Sequence, residues 1–284
     1  MTGRSVRAEA VTAPVTAHGE GPVWWPAWGG LRWVDMLVGD VLTLLADGVR
    51  STHVGEVAAA VRPRRCGGMV IAVERGFALA DDSGEIRVLP ELWSDPTVRM
   101  NEGACDPDGR FYCGSMAYDA APGRGSVYRL DADGTVEVVL TGVTISNGLA
   151  WSPDGTTAYY IDTPTRRVDA FDYDRERGLH ARRPFVTLAE AQGRPDGLAV
   201  DAEGGLWVAM YGGGAVLRFR ADGAPDGRVD LPVRDVTACA FGGPALDQLY
   251  ISTSRYSADP APLSGALFRA DVDVAGLPTL PFGG

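Results

Sequence analysis

The pattern that decides the fold is contained in Pro195-Asp-Gly-Leu-Ala-Val-Asp-Ala-Glu-Gly-Gly-Leu-Trp-Val-Ala209. A polar residue and a glycine open a short apolar run, an Asp/Gly turn follows, and an aromatic, β-branched strand comes next. Strands of this last kind recur, and each contributes one anchor residue: Trp33, Ile71, Tyr112, Tyr160, Trp207 and Tyr250. Their spacing of 38 to 48 residues is typical of the blades of a β-propeller.

Six anchors predict six blades. A further strand often follows the anchor strand, as in Ser126–Leu130, Arg167–Tyr173 and Ala215–Phe219, and no segment keeps a 3.6-residue apolar period. We therefore expect an all-β protein, a single six-bladed propeller domain over residues 1–284, with four-stranded antiparallel blades around a central channel. A large β-sandwich and a seven-bladed ring remain alternatives, and the chain length favours six blades.

Turns occur at a fixed place in the repeat. Asp106-Pro-Asp-Gly109, Ser152-Pro-Asp-Gly155 and Asp201-Ala-Glu-Gly204 each come just before an anchor strand. They are expected to join the first and second strands of a blade as hairpin turns. Their carboxylates are interpreted as structural, with little role beyond the geometry of the turn.

Composition excludes several classes of function. The formal charge is −11, which argues against nucleic acid or an anionic membrane as partner, and no apolar run approaches the roughly 20 residues of a membrane helix. All 26 basic residues are Arg, so chemistry that needs a lysine amine is excluded.

The compartment is inferred from the N-terminus, the cysteines and the residue usage. Charges near the N-terminus argue against a secretory signal. Four Cys without a C-x-x-C pair are interpreted as buried thiols of a reducing cytoplasm. The Arg-, Ala- and Gly-rich composition suggests a GC-rich bacterial genome. We expect a cytoplasmic bacterial protein, a monomer or small homo-oligomer.

Acidic and amide side chains occupy another fixed phase of the repeat. Four such residues precede a glycine 9 to 12 residues before an anchor: Glu20, Glu102, Asn147 and Asp196. Equivalent positions in a ring of blades point to one axis, so Glu20, Asn147 and Asp196, with Asn101 or Glu102, are expected to converge at one mouth of the channel. Clustered carboxylates repel each other, and Arg99 is the only arginine close to them in sequence.

A bound cation would relieve this repulsion. Carboxylate and amide oxygens suit Ca²⁺ or Mg²⁺, and Mn²⁺ is also compatible, whereas such ligands do not select Zn²⁺. Each pair also has an ordinary interpretation as a turn, as in Asp47-Gly48 and Asp133-Gly134. The shared phase and the apolar residues that follow favour the metal site.

Several motifs together resemble the senescence marker protein/gluconolactonase family of regucalcin-like proteins. They match in order from about residue 18 to residue 243 and beyond, and they include Gly19-Glu-Gly-Pro22, Arg99-Met-Asn101, Ser146-Asn-Gly-Leu149 and Pro195-Asp-Gly197. The resemblance implies one divalent cation, with Ca²⁺ favoured, and hydrolysis of sugar lactones. It implies Glu20, Asn147 and Asp196 as ligands, with Asn101 close to the cation.

The resemblance also implies roles around the cation. Arg99 and Asn101 would bind substrate, and Asp196 would also transfer the proton. The family's animal lactonases carry a substrate-contacting Glu in the third blade, where Ala121 stands here, so the lactone itself stays open. Organophosphate triester hydrolysis on the same scaffold and a non-enzymatic calcium-binding regulator are the alternatives. His18 is interpreted as a solvent-exposed or loop residue rather than a base.

Overall fold

Six small β-sheets follow one another around a central channel. The computed structural model describes residues 5–284, and in every sheet the chain begins at the channel and runs outward as an antiparallel meander. Each innermost strand contacts the next one around the ring, and the last contacts the first. The expected all-β, six-bladed propeller is therefore confirmed.

The strands are numbered along the chain. Two short strands, β1 (Ser5–Arg7) and β2 (Glu9–Ala10), precede the first blade. Blade 1 contains β3 (Gly19–Trp25), β4 (Gly30–Asp35), β5 (Asp40–Leu45) and β6 (Gly48–His53). Blade 2 contains β7 (Ala58–Pro63), β8 (Met69–Val73), β9 (Gly76–Ala80) and β10 (Ile86–Val88). Blade 3 contains β11 (Val98–Cys105), β12 (Phe111–Ala117), β13 (Gly125–Leu130) and β14 (Val136–Val143).

The second half of the ring repeats this order. Blade 4 contains β15 (Ser146–Trp151), β16 (Thr157–Asp162), β17 (Arg167–Asp174) and β18 (Gly178–Thr187). Blade 5 contains β19 (Arg194–Val200), β20 (Leu206–Tyr211), β21 (Ala215–Phe219) and β22 (Pro225–Asp230). Blade 6 contains β23 (Val236–Gly242), β24 (Gln248–Thr253) and β25 (Phe268–Asp271). The only helical pieces among residues 5–284 are three 3₁₀ turns at Pro26–Trp28, Thr163–Thr165 and Glu190–Gln192, so no helix there is long and apolar enough to cross a membrane.

The N-terminal strands close the ring. Strand β2 pairs antiparallel with β25 and is the fourth strand of blade 6. Strand β1 pairs in parallel with β22, which gives blade 5 a fifth strand. The first and last parts of the propeller are thus joined by backbone hydrogen bonds.

Apolar side chains fill the spaces between neighbouring blades. All six predicted anchors are buried on the second strand of their blade. Trp33 packs with Tyr250 between blades 1 and 6, and Tyr112 with Tyr160 between blades 3 and 4. This spacing of large side chains is the physical origin of the repeat, because each blade must present one such layer to its neighbour.

The acidic turns join first and second strands, as expected, but two of their carboxylates do more than shape a turn. Asp201 is fully buried. It accepts hydrogen bonds from Trp207 Nε1 at 2.8 Å and Arg218 Nε at 2.9 Å, and so links β20 to β21. Asp106 is also fully buried and pairs with Arg110. The expectation of a minor role for these two carboxylates is therefore wrong.

The cysteine interpretation needs one correction. Cys105, Cys113 and Cys239 are buried, as expected, whereas Cys66 is exposed. Cys66 lies in the turn between β7 and β8, where its Sγ is 3.4 Å from the carbonyl oxygen of Gly284. A turn position gives the thiol no apolar layer to enter.

We predict that Asp201→Ala lowers the free energy of unfolding by about 3 kcal/mol, because the indole N–H of Trp207 and the backbone N–H of Gly205 lose their buried acceptor, and Arg218 is left with its pairs to Glu203 and Asp226. Urea denaturation measures the change. Asp154→Ala, in the exposed Ser152-Pro-Asp-Gly155 turn, is the control and should change stability little. Equal losses in the two variants would contradict a special role for Asp201.

Candidate metal centre at the channel mouth

Each innermost strand carries a β-bulge near the end at which it enters the blade. One extra residue interrupts the pairing with the second strand in all six blades, at 20–23, 58–60, 100–103, 146–149, 195–198 and 236–238. A bulge bends its strand and redirects side chains, and bulges are over-represented beside active sites. All the candidate oxygen donors belong to these bulged segments.

Two buried aspartates hold the chain in place just before the bulges of blades 1 and 4. Asp35 accepts hydrogen bonds from the backbone N–H groups of Ala17 and His18, at 2.8 and 2.9 Å. Asp162 accepts the N–H of Ile145 at 2.9 Å in the same way. The last residue of each second strand therefore fixes where the innermost strand begins, and with it the position of Glu20 and Asn147.

A network of amides joins blades 3 and 4. Asn101 Nδ2 donates to the carbonyl oxygen of Ser146 at 2.8 Å and to Asn147 Oδ1 at 3.2 Å. Asn147 Nδ2 donates to Thr163 Oγ1 at 2.8 Å, and Thr163 donates onward to the carbonyl oxygen of Pro195 in blade 5. Both amide oxygens are thereby oriented, and each keeps a lone pair for another partner.

Three buried carboxylates share this region. Burial and then the charge of Glu102 raise the pKa of Glu20 well above its usual value. Burial raises the pKa of Asp196 in the same direction, followed by the charges of Glu20 and Glu102, while Arg99 and contact with Asn147 lower it. Burial raises the pKa of Glu102 to about 7. The mutual effects place the three groups in one electrostatic cluster.

Two arginines face these carboxylates. Arg99 Nη1 donates to Asn101 Oδ1 at 2.7 Å and lies 3.0 Å from Met36 Sδ, so the side chains of Arg99 and Asn101 lie on the same side of β11. The second arginine, Arg62, comes from blade 2 and was not predicted. The Arg62 guanidinium lies close to Gly21: a Cβ atom at position 21 would be 3.9 Å from Nη1. The charge of Arg62 acts on both Glu20 and Glu102.

The residues present fit a divalent cation. Glu20, Glu102 and Asp196 are opposed by two guanidinium groups, so ionisation of all three carboxylates would leave one negative charge that a bound cation could balance. Among residues 5–284 no three His, Cys, Asp or Glu side chains form a metal-binding group. A cation here therefore needs amide oxygens beside the carboxylates of Glu20 and Asp196, and such an all-oxygen set suits Ca²⁺ or Mg²⁺.

His18 lies in the connecting segment just before β3, as one of the two interpretations had it, but it is not solvent-exposed. Its side chain is 16% exposed, and its Nε2 lies 3.9 Å from Glu20 Oε1. Nδ1 is 2.8 Å from Ser254 Oγ, and the ring packs against Tyr256. Burial, then the charge of Arg99, lowers the pKa of His18 to about 3, so the imidazole is neutral beside the carboxylates.

The third blade contributes an aromatic wall to the mouth. Tyr118 is exposed, its hydroxyl donates to Glu74 Oε1 at 2.7 Å, and its ring centre lies 5.6 Å from the Arg99 guanidinium. Ala121 is in the turn after β12, where its N–H donates to Asp119 Oδ1 at 3.0 Å. The acidic side chain of this turn is therefore the exposed Asp119. Tyr118 has no place in the periodic pattern, because it follows the last residue of β12.

Comparisons with known proteins agree with the motifs. A family model described as the SMP-30/Gluconolactonase/LRE-like region matches residues 18–255. Pentonolactonase XacC of Haloferax volcanii is 40% identical over 275 residues, covering 92% of this chain and 92% of that protein. Regucalcin of Sus scrofa is 36% identical over 297 aligned positions, covering 99% of each.

A solved structure agrees as well. It is described as a calcium-binding protein, regucalcin, from Agrobacterium tumefaciens, and it superposes with a TM-score of 0.90 at 30% identity over 98% of each chain. The sequence match spans the innermost strands that carry Glu20, Asn101, Asn147 and Asp196. The chain belongs to the SMP-30/gluconolactonase/LRE-like family.

Proposed function

We propose that this chain is a divalent-cation-dependent hydrolase that opens sugar lactones. The observation that carries the proposal is the convergence of buried carboxylate and amide oxygens from four blades at one mouth of the channel. The similarity to a pentonolactonase over 92% of both chains supports a lactone as substrate.

Glu20, Asn147 and Asp196 would hold the cation, with Asn101 beside it. When bound, Ca²⁺ or another divalent ion supplies Lewis-acid polarisation of the lactone carbonyl. Ca²⁺ is the first choice, because an all-oxygen set suits it and the similar Agrobacterium structure is described as a calcium-binding protein. Mg²⁺, Mn²⁺ and Zn²⁺ are the ions to compare.

Asp196 would move the proton. Its carboxylate takes a proton from the attacking water as the new carbon–oxygen bond forms, and returns it to the ring oxygen as the ester bond breaks. The product is the open-chain hydroxy acid, and no other reactant is consumed. Burial of Asp196 keeps bulk water from competing for that proton.

Arg99 and Asn101 would orient the substrate. Arg99 Nε is buried and has no hydrogen-bond partner in the structure of residues 5–284, so an oxygen of a polyhydroxylated ring would satisfy it. Tyr118, whose ring faces the Arg99 guanidinium, would form a wall against one side of the sugar. The buried guanidinium and the exposed ring thus present one polar and one apolar surface to the same ligand.

A calcium-binding regulator without enzymatic activity is the second candidate, favoured by the names of the regucalcin relatives. Both candidates bind the cation, so turnover of a lactone panel, followed by acid release, separates them. A chromogenic phosphotriester in the same assay tests the organophosphate alternative.

We predict that Asp196→Asn lowers kcat for the best lactone by at least about 10²-fold, because the proton acceptor is removed while the shape is kept. Initial rates of acid release measure the effect, and circular dichroism checks the fold. Asp222→Asn, in an exposed turn, should keep normal activity. A kcat for Asp196→Asn close to that of the unmodified protein would refute the assignment.

Removal of the cation should abolish hydrolysis and lower thermal stability. Ca²⁺ at about 100 times its Kd should raise Tm of the chelated protein by about 5 °C or more. Calorimetric titration should give one bound ion for each chain. Glu20→Gln should lose most of the Tm increase, whereas the exposed Glu137→Gln should retain it. Full activity after exhaustive chelation would exclude the proposed dependence.

Tyr118→Ala should raise KM for a sugar lactone about two- to fivefold, since the cation–π contact with Arg99 is lost. Tyr118→Phe keeps the ring and should change KM less, although it loses the hydrogen bond to Glu74. Steady-state kinetics with both variants measure the difference. Identical KM values for Ala and Phe would show that the ring does not contribute.

A further inference from the structure

A cavity lies at the end of the channel opposite the candidate metal centre. Its volume is about 410 Å³, which falls within the range of small-molecule sites. Its rim includes Pro107 and Ser152–Gly155, from the turns that join first and second strands. The innermost strands enter at the candidate metal centre and end at these turns, so the two sites open on opposite faces of the ring.

The wall and the cover of this cavity are apolar and well anchored. The innermost strands provide Val23, Leu149, Leu198 and Ala240, and residues 277–280 of the C-terminal segment lie along one side. Thr279 Oγ1 donates to the carbonyl oxygen of Trp24 at 2.7 Å, and the N–H of Phe282 donates to the carbonyl oxygen of Pro63 at 2.8 Å. The C-terminal segment therefore gives the cavity a fixed shape.

Glu102 and Arg62 form a pair of opposite charges in this mainly apolar space, apart from the exposed rim where Asp154 lies. Glu102 is 7% exposed, and its Oε2 lacks a hydrogen-bond partner in the described part of the chain. Arg62 also lines the cavity, and its Nη1 donates to the carbonyl oxygen of Val61 at 2.7 Å. The pair places hydrogen-bond acceptors beside hydrogen-bond donors at the inner end of an apolar pocket.

We propose that this cavity binds a small neutral amide with an aromatic or aliphatic body. The amide N–H₂ would donate to the Glu102 carboxylate, its carbonyl oxygen would accept from Arg62, and the apolar body would lie against the strand wall. A carboxylate ligand would be attracted by Arg62 but repelled by Glu102. An ammonium ligand would be attracted by Glu102 but repelled by Arg62. Only a ligand that donates and accepts side by side satisfies both groups.

The proposed amide site is separate from the proposed lactone site, but the two sites use neighbouring residues of one strand. Glu102 follows Asn101 directly within the same bulge of β11. The two neighbours face different sites, because Asn101 contacts Asn147 at the candidate metal centre while Glu102 lines the inner end of the cavity, from where its charge still acts on Glu20 and Asp196. The amide site stands even if the chain does not hydrolyse lactones.

The test uses three probes of one shape: 2-naphthamide, 2-naphthoate and 2-naphthylmethylammonium. Calorimetric titration and saturation-transfer NMR on the full chain should show that 2-naphthamide binds more tightly than either charged probe. Ala240→Leu, which narrows the wall, should weaken 2-naphthamide binding at least tenfold. Absence of naphthamide binding, or equal binding of all three probes, would overturn the proposal.

Two further variants identify the groups involved. Glu102→Gln leaves the Arg62 charge unopposed, so naphthamide should bind about fivefold more weakly and naphthoate more tightly. Asp196→Asn should leave naphthamide binding unchanged. Loss of binding in Asp196→Asn alone would place the probe at the metal centre and refute the second site. Unchanged naphthamide binding in both Ala240→Leu and Glu102→Gln would also refute the amide site.

Discussion

Within residues 5–284, three buried carboxylates face two guanidinium groups at the centre of this ring, and holding these charges together constrains the strands around them. Glu20, Glu102 and Asp196 come from three different blades, and each is less than a tenth exposed. Removing them from water costs free energy that pairing with Arg62 and Arg99 offsets only in part. The strands must therefore be rigid enough to hold the charges together against their repulsion.

That rigidity comes from aspartates at both faces of the propeller. Asp35 and Asp162 receive backbone N–H groups where innermost strands begin, and Asp106 and Asp201 receive side-chain donors where such strands end. Each of these aspartates fixes one end of an innermost strand, at its beginning in blades 1 and 4 and at its end in blades 3 and 5, and so restrains the bulge in that strand. Buried carboxylates thus have two roles here: some hold the strands in place, and others provide candidate ligands for a cation.

The fold was predictable because its signal repeats. Anchors such as Trp33 and Tyr250 recur since each blade needs one large side chain against the next, and the Asp/Gly turns recur with them. The oxygen donors could be located by the same phase. The role of Arg62 was not predicted, because blade 2 has Ala58-Ala-Ala60 at the phase where other blades have a polar residue and a glycine. The pattern therefore did not indicate a site residue in blade 2.

His18 and Cys66 show what a repeat cannot reveal. The surroundings of His18 depend on Ser254 and Tyr256, which belong to the last blade and approach only when the ring closes. Cys66 is exposed because it lies in the turn between β7 and β8, outside the buried layers between blades. The far cavity, too, depends on a C-terminal segment that lies outside the periodic part of the chain.

The closure of the ring has a consequence for how the chain folds. Strand β2 pairs with β25, so Glu9 lies opposite Arg269. Almost the entire polypeptide must be synthesised before the outer edge of the last blade can be completed, and contacts this distant in sequence form slowly. Until β25 is made, the N-terminal strand β2 has no partner in its blade, and its unpaired edge is a template for pairing with another molecule. The pairing of β2 with β25, which closes the finished ring, is thus the place where the incomplete chain is most prone to aggregate.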